Sequence, residues 1–309
     1  MNIATYTFQC RFNTPAFLPV FKGSTLRGAF GHALKRIACA LRQQECDKCL
    51  LFSSCAYAFL FEVEKTTSID SERSRMVHRP HPYVLVPPDE TKRLYETDDS
   101  FSFDIILFGP ANQYLPHVFY AVQEIGKSGL GKKTRAPGCF RIETVQHDGN
   151  TIFSGADLQV RHSLKQIAVQ DHAIKPFDRL SLSISTPLRL KHLNRLQSVL
   201  PFHLLARSVL RRISTLEAAY GNGEPDLDYR GMVKRAHSVE IVRSNCRWVD
   251  TKRYSNRQHS TMKFGGIQGD ILYQGSAVAE ILPLLKYCEQ THLGKQTSFG
   301  LGRISAQKA

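Results

Sequence analysis

The chain has 309 residues, 42% of them apolar, enough to bury the cores of two ordinary domains. Its 41 Lys and Arg against 27 Asp and Glu leave a net charge of +14, which favours a polyanionic partner, nucleic acid before a membrane surface or an acidic protein, and does not separate RNA from DNA. No stretch has the run of roughly 18 apolar residues that a membrane span needs, and the start MNIATYTFQCRF lacks a signal core, so the cytoplasm is the expected location.

In chain order, the first half reads as a strand at 2–12 and a helix opened by Ser24 as its cap. Strands near 83–87 and 101–108, a helix over 115–125 and a strand at 139–145 follow. Residues 64–100 are charged, proline-containing and irregular, and read as a long insertion or loop. The polar segment from about 146 to 178 is the natural connection between halves. In the second half LSLSIS (180–185) alternates as a strand, a long helix covers 201–219, strands fall near 238–249 and 262–274, and a helix spans 277–289.

The halves also repeat each other weakly. Asp104-Ile105-Ile106-Leu107-Phe108-Gly109 parallels Asp270-Ile271-Leu272-Tyr273-Gln274-Gly275, and each is followed by Leu-Pro, an apolar helix and a Gly-Lys loop at Gly131-Lys132 or Gly294-Lys295. Both halves thus read strand, helix, strand, strand, helix, strand. The expected fold class is α+β, with two tandem ferredoxin-like domains: 1–150, a connection at 151–178, and 179–309. Such sheets host enzymes, RNA binders and metal-binding domains alike, so the sites must decide the function.

Cys39, Cys46, Cys49 and Cys55 fall as C-x(6)-C-x(2)-C-x(5)-C in an insert at 37–57. Four thiolates would close a structural zinc site with no position left for a reactive water. The other reading packs Cys39 in the core, with the remaining three unligated or in a redox pair. Gly126-Lys127-Ser128-Gly129-Leu130-Gly131-Lys132 imitates a phosphate loop, but Lys133 stands where Ser or Thr belongs. It also follows a helix rather than leading into one, so no nucleotide is expected.

The C-terminal loop His292-Leu293-Gly294-Lys295-Gln296-Thr297-Ser298-Phe299-Gly300-Leu301-Gly302 offers glycines for close backbone approach, amides, Lys295, Gln296, Thr297 and Ser298 for phosphates, and Phe299 to stack a base or simply to pack. It resembles the G-h-G-x(5)-G-h-G loop of the RAMP superfamily of CRISPR-associated proteins. Gly294, Gly300 and Gly302 match, and His292 replaces the first glycine. LRGAFGHALKR, the cysteine cluster, PHPYVLVPP and WVDTKRYSNRQ resemble, in order, the branch of precursor-CRISPR-RNA endoribonucleases that carries a cysteine-rich insert.

On the first helix Leu26, Phe30, Ala33, Leu34 and Ile37 form an apolar stripe, and His32 lies nearly opposite with Lys35, Arg36 and Gly28 beside it. Gly28 and Gly31 point to a close approach by RNA or by another element of the protein. The resemblance implies that His32 acts as general acid or base, with Lys35 or Arg36 stabilising charge on the phosphate and His292 and Tyr254 in reserve. It further implies a metal-independent attack of the ribose 2′-OH, giving 2′,3′-cyclic phosphate and 5′-OH ends. Arg27 and Gly28, the glycine loop, and Lys252, Arg253 and Arg257 of a basic hairpin would hold the repeat stem-loop; read without the resemblance, Lys252–Gln258 is a solvated charged loop. The rival readings are a catalytically silent RNA-binding subunit of a CRISPR effector complex and a metal-dependent nuclease, for which no carboxylate cluster is evident.

Overall fold

A computed structural model describes residues 1–41, 44–63, 79–131, 136–155, 177–255 and 260–309, with the backbone alone for 251–255 and 260–263. Much of the expected connection and insertion therefore lies outside the described residues. The chain divides into two compact units, Met1–Ile167 and Ala168–Ala309. Both are mixed α+β with antiparallel sheets. Among the described residues no helix is long and apolar enough to cross a membrane.

The first unit is organised by strand β1 (Ile3–Phe12), whose residues alternate between core and surface. Ala4, Tyr6, Phe8, Cys10 and Phe12 point one way and are all essentially inaccessible. After a short β2 (Ala16–Phe17) come helices α1 (Gly23–Ala38) and α2 (Ala56–Phe61), then β3 (Tyr83–Val86), β4 (Leu94–Tyr95) and β5 (Ser100–Phe108). Helix α3 (Leu115–Ser128) leads to β6 (Phe140–His147) and β7 (Asn150–Ser154). The main sheet runs β3-β5-β1-β6-β7, with β1 antiparallel to both β5 and β6, and β2 pairs with β4 apart from it. Phe12 stacks on Phe101 at 4.6 Å and meets Phe140 edge-on at 6.2 Å, so one side chain joins three strands. Burying a ring of this size is worth about 1.5–3 kcal/mol.

Two expectations change here. Strand β7 lies in the stretch read as connection, because β6 runs on to His147 and turns back through Asp148 and Gly149, both with positive φ. Helix α1 begins at Gly23, so Ser24 is inside the helix; the N-cap position is Lys22, whose side chain does not cap. Lys22 is 1% exposed, and its ammonium donates to the Glu90 carbonyl at 2.8 Å, tying the start of α1 to the segment before β4.

The second unit repeats the plan. Strand β8 (Arg179–Leu188) is followed by a small hairpin of β9 (Lys191–His192) and β10 (Arg195–Leu196), then α4 (Phe202–Tyr220) and α5 (Tyr229–Arg235). Strands β11 (Glu240–Ser244), β12 (Arg247–Ser255) and β13 (Ser260–Gln274), helix α6 (Val278–Thr291) and β14 (Ile304–Lys308) complete it. The sheet runs β11-β13-β8-β14 with β12 also on β13. The expected strand at 238–249 is thus two strands, which meet successive parts of one long partner.

Within helix α3 the packing is close at Gly126, on its buried side. A β-carbon there would collide with the Phe140 carbonyl, whereas one at Gly28 on α1 would meet nothing within 4 Å. Gly126→Ala is therefore expected to lose about 1–3 kcal/mol through overpacking. Gly28→Ala should gain about 0.5–1 kcal/mol from helix propensity. Urea denaturation of the two variants beside wild type checks both signs.

Candidate functional site

Helix α1 buries Leu26, Phe30, Ala33 and Leu34 and leaves His32 exposed on its outer ridge. His32 has no hydrogen bond or ion pair among the described residues. Its two flanks differ. On one, Gly31 admits the Phe61 ring of α2, with its β-carbon position 2.8 Å from that ring. Further along the same flank Lys35 carries its ammonium 5.5 Å above the Tyr57 ring. On the other, Arg36 donates to Glu124 of α3 at 2.8 Å, which offsets its charge. Lys35 has no such carboxylate partner among the described residues and is the uncompensated cation beside His32.

Arg27, expected to meet RNA, is turned along the α2 flank instead. Its Nη2 lies 3.1 Å from His81 Nε2, and its guanidinium carbon 5.2 Å from the Phe61 ring centroid. Arginine only donates, so His81 Nε2 must accept, and His81 Nδ1–H then donates to the Leu60 carbonyl at 3.0 Å. This fixes one neutral tautomer of His81 between α2 and β3. Burial pushes the phenols of Tyr57 and Tyr83 up to about 12, so both keep their protons.

Cys39, Cys46, Cys49 and Cys55 are free, partly exposed thiols on and around two short turns, Cys46–Lys48 and Phe52–Ser54. Their chemistry suits zinc, but among the described residues no three His, Cys, Asp or Glu side chains are gathered to hold a metal ion.

In the second unit the glycine loop is a tightly held turn. Gly294, Gly300 and Gly302 all have positive φ, and a β-carbon on Gly294 would stand 2.7 Å from the Arg189 carbonyl. The loop is fastened to the end of β8: Lys295 N–H donates to the Arg189 carbonyl at 3.0 Å, and the Thr186 hydroxyl donates to the Gly300 carbonyl at 2.9 Å. Beneath it lies the buried Arg212 of α4, whose Nη2 donates to the Thr291 carbonyl at 2.5 Å and to Thr297 Oγ1 at 3.3 Å. Burial pulls this guanidinium down to about 10. Thr297 and Ser298, expected to touch phosphate, are buried, while Lys295 is exposed and Gln296 takes a left-handed conformation. Phe299 packs edge-on against Phe264 at 5.2 Å, which favours the packing reading of that ring.

His292 does not fit its reserve catalytic role. It is 1% exposed, sits at φ 55° and holds the Leu301 carbonyl through Nδ1 at 3.2 Å. It occupies a left-handed position that glycine adopts freely, the position where the RAMP pattern has glycine. Lys252, Arg253 and Tyr254 lie within β12, paired with Lys263, Met262 and Thr261, so the hairpin is longer than the expected loop. Arg257 lies outside the described residues. Of the glycines in the false phosphate loop, Gly126 lies within α3, and Gly129 and Gly131 are turn residues with positive φ, close to the carbonyls of Pro137 and Phe17.

Sequence reasoning missed Tyr57, His81 and Arg212, because nothing in their local pattern marks them. It also passed over His203 and His237, whose rings stack at 3.9 Å and 12°; burial, then His237 and His192, hold the His203 imidazole below its usual range.

The described geometry is an exposed histidine beside a free lysine on one helix, with a pinned glycine loop in the other unit. The AF_1859_N N-terminal domain model matches residues 1–165, and the model for CRISPR-associated endoribonuclease Cas6 matches residues 182–304. The chain belongs to the family of the AF_1859_N N-terminal domain, whose model covers more than half of it, and its second half is similar to CRISPR-associated endoribonuclease Cas6. An uncharacterized protein of Archaeoglobus fulgidus is 24% identical over 290 residues, 92% of this chain and 91% of that protein. Among solved structures, a Cas6 product complex is similar across 99% of both chains, with a TM-score of 0.56 and 13% identity. Thermus thermophilus Cas6 gives 0.55 at 12% identity over 99% of this chain and 98% of that one. A partial Cas6-RT-Cas1–Cas2 complex gives 0.61 at 13% identity over 100% of this chain, which spans 46% of the longer one. At such identities the likeness is one of fold.

Burial holds the His292 imidazole down at about 4 against an ordinary value of 6.5. The unfolded chain takes up the proton near pH 6.5 and the fold resists it until about pH 4. Above pH 6.5 the group has no effect on stability, and as pH falls from there to 4 it removes up to about 3 kcal/mol. In His292→Gly, which suits the left-handed backbone, this part of the acid sensitivity should vanish. The difference between variant and wild type in urea-unfolding free energy at pH 7 and pH 4 measures it.

Proposed function

We propose that this chain is a metal-independent endoribonuclease that binds the repeat stem-loop of precursor CRISPR RNA and cuts it to mature guide RNA. The observation that carries the reading is His32, exposed and without a hydrogen bond or ion pair among the described residues, beside Lys35, which has no carboxylate partner among them, on α1 of a chain whose second half matches the Cas6 model. In this reading the two units are tandem ferredoxin-like domains with a cysteine-rich insert. The ribose 2′-oxygen attacks the adjacent phosphorus, forming the cyclic phosphodiester as the bond to the 5′ oxygen breaks. His32 moves the proton at the 2′-OH or at the leaving 5′ oxygen. Lys35 is better placed than Arg36 to take charge on the phosphate, because Glu124 already offsets Arg36.

The glycine loop, through Lys295 and its backbone, and the β12–β13 hairpin hold the RNA, chiefly by phosphates and shape. Zinc on Cys39, Cys46, Cys49 and Cys55 is a structural proposal resting on donor type and spacing. The protein works in the cytoplasm, with other subunits of a CRISPR effector complex as further partners.

Repeat RNA incubated with the protein in excess EDTA is expected to be cut to 2′,3′-cyclic and 5′-OH ends. His32→Ala should slow this by about 10²–10⁴-fold while RNA binding persists. Equal cutting by both proteins would move the chemistry off His32. Binding without cutting by either would make the chain an RNA-holding subunit, and cutting abolished by the chelator would make it a metal-dependent nuclease.

A further inference from the structure

The surface beside the glycine loop carries cations that no sequence motif marks. Lys295 is joined through its backbone to the Arg189 carbonyl, and Lys191 follows two residues on, at the start of the β9–β10 hairpin. The hairpin closes with two residues, Leu193 and Asn194, both at positive φ, a turn that holds Lys191 and His192 opposite Leu196 and Arg195. Leu193 is 83% exposed in this left-handed conformation, which is uncommon for any residue but glycine, asparagine or aspartate. Arg211 is exposed on α4 next to Arg212, which grips the loop at Thr291 and Thr297. Three elements thus carry Lys191, Arg211 and Lys295, and the charges of the first two act on the third.

The three charges are not offset. None of them has a hydrogen bond from its side chain or an ion pair among the described residues. The Lys295 ammonium is held below its usual range by burial first and then by Lys191, Arg211 and Arg189. Arg189 is otherwise engaged: it donates to the Gly265 carbonyl at 2.7 Å and faces Asp250. Cations crowded without carboxylates are a cost to the free protein that an anion relieves.

We propose that Lys191, Arg211 and Lys295 form a phosphate site for the RNA backbone, with the β9–β10 hairpin as its arm. The proposal rests on the RNA-processing reading and adds to it two residues and a hairpin. Phosphate contacts fix register and carry no sequence information, so the site should grip repeat and scrambled RNA alike.

The test is the affinity of the full-length protein for repeat RNA and for a scrambled RNA of equal length across a salt series. Each phosphate neutralised adds about 0.7–0.9 to the slope of log affinity against log salt. The K191A/R211A pair should flatten that slope by about 1.5 and weaken both RNAs by the same factor, about tenfold or more at low salt. The conservative K191R/R211K pair should restore the wild-type slope. An unchanged slope in K191A/R211A, with RNA still bound by wild type, would overturn the site and leave the RNA reading standing. A wild-type protein that binds neither RNA would sink both.

Discussion

Strand β1 is paired on both edges, with β5 on one side and β6 on the other, and this double pairing constrains everything around it in the first unit. A strand so enclosed has no freedom to slip, because a shift of one residue would turn Tyr6, Phe8 and Phe12 out of the core together. With the face of the sheet fixed, α1 must lay Leu26, Phe30, Ala33 and Leu34 upon it. The opposite ridge of the helix is then held out by default. Gly28, His32, Lys35 and Arg36 need no contacts of their own to be presented; the buried stripe presents them.

The second unit solves a different problem, how to keep a glycine-rich loop in one shape. Glycines give the chain access to left-handed conformations but also raise the entropy lost on ordering it. Here the loop is anchored at the end of β8 and from beneath by Arg212. A buried guanidinium is expensive unless its donors are used, and its bonds to the Thr291 carbonyl and Thr297 hydroxyl fall at the end of α6 and within the loop. The same contacts explain why Thr297 is turned inward, and Ser298 beside it is buried as well. They are part of the support, and the outward chemistry of the loop falls to Lys295.

What the sequence made legible was the part governed by local periodicity. The alternation of β1 and β8, the 3.6-residue stripe of α1 and the order of elements in both halves were all readable, and the outward placement of His32 followed from the stripe. What it hid depends on partners far away along the chain. Strand β7 has little pattern of its own and exists because β6 offers it an edge. The start of α1 is set by a buried lysine reaching Glu90, not by the serine that looked like a cap. His81 and Arg212 look ordinary in sequence because their roles are defined by Leu60, Arg27, Thr291 and Thr297. The hairpin at 191–196 escaped notice because its turn is Leu-Asn, without the glycine that usually announces such a turn.

The two histidines singled out by their neighbourhoods show how burial sorts identical side chains into different work. His292 stands next to the glycine loop, the more suggestive motif, yet it is enclosed, neutral and bonded to Leu301, so taking a proton there costs fold stability. His32 stands exposed on an undistinguished helical ridge, outside the packed core. A group that must exchange protons in each catalytic cycle has to tolerate both states without moving its surroundings. On the proposed reading, that requirement favours His32 over His292 for the proton transfer.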